Sequence, residues 1–104
     1  MVKPPKYAIE NAQKALDCLD KGSDAMLRVG RLRARQLANN RELGKTSLNK
    51  IYRFKRHKQN AEYKGDICKD NGAVAWLGWG LGYKNGKPND RFSMWAKRKL
   101  RKLK

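Results

Sequence analysis

The sequence predicts an all-α protein: a compact single domain of four to five short helices, with a glycine-rich loop before the last one. Three observations lead there. Apolar residues recur at three- and four-residue steps in several segments. No stretch alternates apolar and polar residues as a half-buried strand would. The chain has 104 residues, the size of one domain, and its three Trp, four Tyr and two Phe argue against disorder.

Each element has its own local reason. Pro4-Pro5 closes an extended arm over residues 1–5, ahead of a helical domain over residues 6–104. In residues 6–20, Tyr7, Ala8, Ala12, Ala15, Leu16 and Leu19 keep helical spacing, and Gly22 stops the run. Ser23-Asp24 then offers an N-cap to a second helix over residues 25–39, whose only interior breaker is Gly30. Asn39-Asn40 supplies the next turn. Thr46 or Ser47 can cap a third helix over residues 48–60, with Leu48, Ile51, Tyr52 and Phe54 on one arc. Residues 62–70 read as a polar loop. Asn71-Gly72 leads into a short buried helix over residues 73–77. Gly78, Gly80, Gly82 and Gly86, followed by Lys87-Pro88, mark a long glycine-rich connection. The final helix, residues 90–103, puts Phe92, Ala96, Leu100 and Leu103 on one side and Lys97, Arg98, Arg101 and Lys102 on the other.

Charge narrows the function. The chain carries 26 Lys and Arg against 9 Asp and Glu, a formal net charge of +17. Such an excess repels itself in a compact state, which points to an anionic partner. The excess sits in two blocks. Residues 28–60 hold eleven basic residues and one acid, Glu42, and residues 76–104 hold nine against Asp90. Cys18 and Cys68 are too few for a disulfide scaffold, and no secretory leader precedes them. The uncharged, mostly apolar stretch over residues 73–83 is too short to span a bilayer and contains three glycines. A secreted mini-protein, a membrane protein and a large multi-domain enzyme are thereby set aside, leaving a small cytosolic domain.

The second helix is the most informative segment. Arg28, Arg31 and Arg35 fall within about 60° of one another on a helical wheel, in a stripe that can follow phosphates. Met26, Val29, Leu32 and Leu37 take another arc, and Arg33 lies inside it. A buried arginine needs a carboxylate or carbonyl, so Arg33 reads as a structural ion-pair residue, with Asp17, Asp20, Asp66 or Asp70 as partner. On the third helix Lys50 and Arg53 lie opposite Ile51 and Tyr52, together with His57 and flanked by Arg56. A helix-turn-helix reader would pair two such helices, but the connection here is longer than that motif's tight turn.

Other signals carry less. His57 has no nucleophile or acid nominated beside it, so no catalytic residue and no enzyme activity is expected. With Cys18 and Cys68 it lacks the paired spacing of a zinc site, so neither metal nor cofactor is expected. Gly44-Lys45-Thr46 imitates a phosphate loop, yet Asn39 stands where the motif needs glycine. Trp76 and Trp95 are expected in the core, whereas Trp79 and Tyr83, beside the glycines, are candidates for contact with unpaired bases. The last helix needs its apolar side for packing, so a membrane surface is not its expected partner.

Three runs together resemble a family of small helical proteins of tailed bacteriophages, which occur alone or attached to head-assembly polypeptides. They are residues 29–39 (VGRLRARQLAN), residues 51–57 (Ile51-Tyr52-Arg53-Phe54 to Arg56-His57) and residues 72–76 (GAVAW), followed by Trp79-Gly80 and the 95–100 segment WAKRKL. The resemblance covers roughly residues 7–103 and carries over Arg33 and Arg35. It departs at Arg56-His57, one residue short, and in a longer loop over residues 80–91. It implies a phage context, in the host cytoplasm or packaged in the virion, and no established activity.

The expectation is therefore a phage-encoded protein that binds nucleic acid, double-stranded DNA ahead of RNA, through phosphates and with little sequence preference. Its contact residues are Arg28, Arg31, Arg35, Lys50, Arg53, Arg56, Lys97, Arg98, Arg101 and Lys102. The alternative is a virion component or effector that docks on an acidic phage or host protein through Trp79, Tyr83 and a few arginines.

Overall fold

Pro5 cannot continue a helix backwards, but its carbonyl can start one. It accepts from the backbone N–H of Ala8 and Ile9 and opens α1, Lys6–Asp20. In this computed structural model, which describes residues 2–103, α1 buries Ala8, Ala12, Ala15 and Cys18. A face of small side chains lets neighbours come close, and both α2, Arg28–Ala38, and α4, Asn71–Gly78, pack on it. Between them, α3, Lys45–Arg53, tightens into a 3-10 segment, Phe54–Ala61, and packs against α5, Arg91–Lys102. The N-terminal arm is tied down, with Val2 and Leu43 exchanging backbone hydrogen bonds.

Three helices end in one motif. After α1, α2 and α4 a residue with positive φ (Gly22, Asn40 and Gly80) lets its own N–H and that of the following residue bond back into the last turn. Gly80 also has no room for a side chain. A Cβ there would lie 2.5 Å from a ring carbon of Phe92. Gly80→Ala, combining φ +87° with that overlap, is expected to cost about 2–4 kcal/mol in urea denaturation. A loss below about 1 kcal/mol would mean that Phe92 yields freely.

The main core gathers Leu37, Leu48, Ile51, Trp76 and Phe92 from α2 to α5, Leu43 and Leu81 from the connections, and Ala8 and Ala12 from α1. Trp76 is fully buried as expected, and its indole N–H donates to the Gly82 carbonyl at 2.9 Å. Trp95 is only half-buried, stacked on Phe92 at 5.3 Å. Ser93, buried between α5 and α3, donates to the Ile51 carbonyl at 2.8 Å.

Several expectations are corrected. The second helix starts at Arg28 rather than residue 25, because Met26 has φ +70° and Ser23 Oγ takes the Ala25 N–H in a local turn. Neither Thr46 nor Ser47 caps α3; Gly44 is its N-cap, without a side-chain bond. The glycine-rich connection contains a small antiparallel hairpin, β1 (Gly82–Lys84) and β2 (Lys87–Asn89), with Tyr83 opposite Pro88. Its two-residue turn, Asn85-Gly86, has positive φ at both positions, the form that matches strand twist.

The two cysteines find each other in the fold. Cys18 and Cys68 are disulfide-bonded across 50 residues. The bond joins the end of α1 to a 3-10 turn, Ile67–Lys69, beside a second apolar cluster of Ala15, Ala25, Val74 and Leu77. Two cysteines do not make a scaffold, but they make one staple.

Candidate polyanion-binding surface

The two basic sequence blocks meet at one aromatic ring. Lys55 Nζ, from the 3-10 segment, lies 4.8 Å from the centroid of Tyr52, and Lys97 Nζ, from α5, lies 5.5 Å from it. Tyr52 reaches this position because Leu48 and Ile51 turn one side of α3 inward and leave the next position half-buried at the edge of α5. Each ammonium gains a cation–π contact, while the two like charges sharing the ring repel each other. Lys55 was missed by the wheel argument. Its position three residues after Tyr52 was the available signal, since such neighbours meet on a helical surface.

The expected cations divide into exposed ones and ones engaged within the fold. Arg28, Arg35, Lys50, Arg53, Arg56, Arg98, Arg101 and Lys102 are exposed. Lys97 is half-buried against Tyr52. Arg31 is committed within the fold: its guanidinium donates to the carbonyls of Met26 and Ala25, each at 3.2 Å. The three-arginine stripe therefore presents two free guanidinium groups, with Arg31 acting as a clamp on the segment before α2.

Arg35 does not stand alone. It lines a polar cleft of about 950 Å³ with Lys3, Arg41 and Lys45, and with Glu42 at the same cleft. Pairing of Val2 with Leu43 carries Lys3 there from the other end of the sequence. No sequence spacing relates Lys3 to Arg35, so only the folded chain reveals this group.

Arg33 is buried, at 8% exposure, but not ion-paired. Its Nη1 donates to Gln36 Oε1 and Ser47 Oγ, both at 2.8 Å, and its guanidinium carbon lies 5.5 Å from the Trp79 ring. Three of the four carboxylates proposed for it are engaged elsewhere: Asp66 and Asp70 accept backbone N–H groups of Cys68 and Ala73, and Asp17 accepts from Gln13. Burial works against the Arg33 charge and depresses its pKa, and its Nε–H has no partner. An arginine held only by neutral groups is replaceable by an apolar side chain of similar length. Arg33→Met is expected to change stability by less than about 1.5 kcal/mol, whereas Arg33→Ala, which leaves a void against Trp79, costs about 2–3 kcal/mol. Chemical denaturation of both variants checks the order.

Trp79 and Tyr83 are corrected as free aromatic platforms. Trp79 is half-buried and stacked on Phe54 at 4.7 Å with 12° between the planes. The Tyr83 hydroxyl donates to the Ala61 carbonyl at 2.6 Å, and its ring meets Tyr63 edge-on. Burial pushes the Tyr83 phenol well above its ordinary pKa, reinforced by the nearby Tyr63 and Asp70. His57 packs on Phe54 at 4.7 Å and accepts from Arg56 Nε at 3.3 Å.

No described helix is long and apolar enough to cross a membrane. The chain matches no family model, no curated protein and no solved structure.

Proposed function

We propose that this chain is a phage-encoded protein that binds nucleic acid, principally double-stranded DNA, through phosphate contacts with little sequence preference. The observation that carries the reading is the convergence of Lys55 and Lys97 on Tyr52, which joins basic residues of α3 and of α5 into adjoining surfaces. A polyanion laid there relieves the repulsion between them. Arg28 and Arg35 on α2, Lys50, Arg53 and Arg56 on α3 and its extension, and Arg98, Arg101 and Lys102 on α5 are exposed to receive it. Residues 28–60 contain a single acid, Glu42, so local pairing leaves most of this charge unneutralised. Phosphate contacts position a protein without reading bases.

The phage context rests on the resemblance of the 29–39, 51–57 and 72–76 runs. Of the two locations it implies, the Cys18–Cys68 bond favours the virion over the reducing host cytoplasm, where disulfides are rare.

Mobility-shift titration of a short duplex at about 50 mM salt, where unscreened phosphate contacts are strongest, tests the reading. The triple variant Lys50→Gln, Arg53→Gln, Arg56→Gln is expected to bind at least about tenfold more weakly while melting like the parent. Equal-length DNA and RNA competitors rank the two acids. Absence of any shift with either acid removes the proposal.

A further inference from the structure

Beyond the cationic surface, one patch has the opposite character. Leu27 is 85% exposed, Val29 55% and Leu32 48%. Single exposed apolar residues are ordinary, but these three are neighbours at the start of α2. Leu27 and Val29 stand at the lip of a groove of about 770 Å³ whose floor includes Met26, Phe54 and Trp79.

The lip is fixed in place. Met26 adopts φ +70°, a conformation uncommon for a non-glycine residue, and packs beside Gly30 and Gly78, where a Cβ at Gly78 would overlap its sulfur. The Arg31 guanidinium holds the Ala25 and Met26 carbonyls from the other side. Leu27 thus projects from an anchored backbone, so little ordering remains to be done when it is covered.

The opposite edge of the groove is cationic. Lys50, Arg53 and Arg56 line it at three-residue spacing, the last two across the start of the 3-10 segment, where such neighbours align. Asp24 is the carboxylate among the lining residues.

We propose that this groove docks an acidic amphipathic helix of a partner protein. Apolar side chains at i, i+3 or i+4 and i+7 would cover Leu27, Val29 and the groove floor, and carboxylates along one flank would meet Lys50, Arg53 and Arg56. A second copy of this chain is a poor occupant, because it would bring +17 of like charge to a cationic edge. Duplex DNA has no apolar face for Leu27. The inference does not depend on the nucleic-acid reading, although Lys50, Arg53 and Arg56 would serve both ligands, which then exclude each other along that edge.

The test uses the full chain and a fluorescent sixteen-residue synthetic helix with leucines at helical spacing and glutamates on the flanks. A scrambled peptide of the same composition and a short DNA duplex are the controls. The patterned peptide is expected to bind at least about tenfold more tightly than the scrambled one. Leu27→Ser with Val29→Ser should remove that difference and leave duplex affinity within about twofold, with thermal melting confirming the fold. Lys50→Glu with Arg53→Glu should weaken the peptide as well. Equal binding of both peptides, or of neither, overturns the proposal. So does equal weakening of peptide and duplex by the serine pair, which would give the patch to nucleic acid, or concentration-dependent self-association abolished by that pair.

Discussion

Raising salt from about 50 to about 200 mM is expected to weaken duplex binding by on the order of 10³–10⁵, the consequence of six to ten phosphate contacts releasing condensed counterions. A plot of log affinity against log salt should be straight, with a slope of roughly −0.9 for each phosphate neutralised. The exposed set of Arg28, Arg35, Lys50, Arg53, Arg56, Arg98, Arg101 and Lys102 is large enough to supply that range. Individual variants then separate contact from support. Arg28→Gln and Arg35→Gln should each flatten the slope by about one contact at unchanged stability. Arg31→Gln should do the reverse. It frees the carbonyls of Ala25 and Met26, lowers stability by about 1–3 kcal/mol and leaves the slope nearly unchanged. A parent slope shallower than about −2 would show that the cations do not act together on a polyanion.

Reducing the Cys18–Cys68 bond is expected to produce the largest loss of stability. Closing a loop across 50 residues restricts the unfolded chain by an amount that the loop-entropy relation puts at about 4 kcal/mol, with measured effects commonly about 2–4 kcal/mol. For a domain of this size the unfolding midpoint should fall by about 10 °C or more. The loss should be local first. Residues 62–70 are mostly exposed and carry a single 3-10 turn, so their amide protection against hydrogen exchange should vanish before that of α3 and α5. The variant Cys18→Ala, Cys68→Ala should behave like the reduced protein. Duplex affinity measured well below the midpoint should not move, because none of the proposed contact residues lies in the tied segments. A midpoint unchanged by reductant would mean that the bond adds nothing to the native fold.

Legibility in the sequence followed the range of the forces involved. The first helix could be read to its ends, because Pro5, the alanine spacing and Gly22 are all local instructions. Asn39-Asn40 worked likewise as a turn, Asn40 taking the left-handed conformation that ends α2. Failure came where a local signal was outweighed or too short. Ser23-Asp24 resembles a cap, but the space between Gly30 and Gly78 draws Met26 into a turn and delays the helix. Strands of three residues show no alternation, so the hairpin was visible only in Asn85-Gly86. The candidate surface was half legible: a helical wheel separates the exposed cations from the core, but it cannot tell a free guanidinium from one bonded to a carbonyl, as in Arg31.

By itself the sequence determined the helical class, most turns, the buried tryptophan and the cationic excess, since periodicity, backbone preference and charge are properties of residues and near neighbours. Only the tertiary structure decided that Cys18 meets Cys68, that Arg33 rests on Ser47 and Trp79, and that Lys55 and Lys97 share Tyr52. Each of these joins groups at least 14 residues apart in sequence or places a third group between them, and their meeting is fixed by how the helices pack.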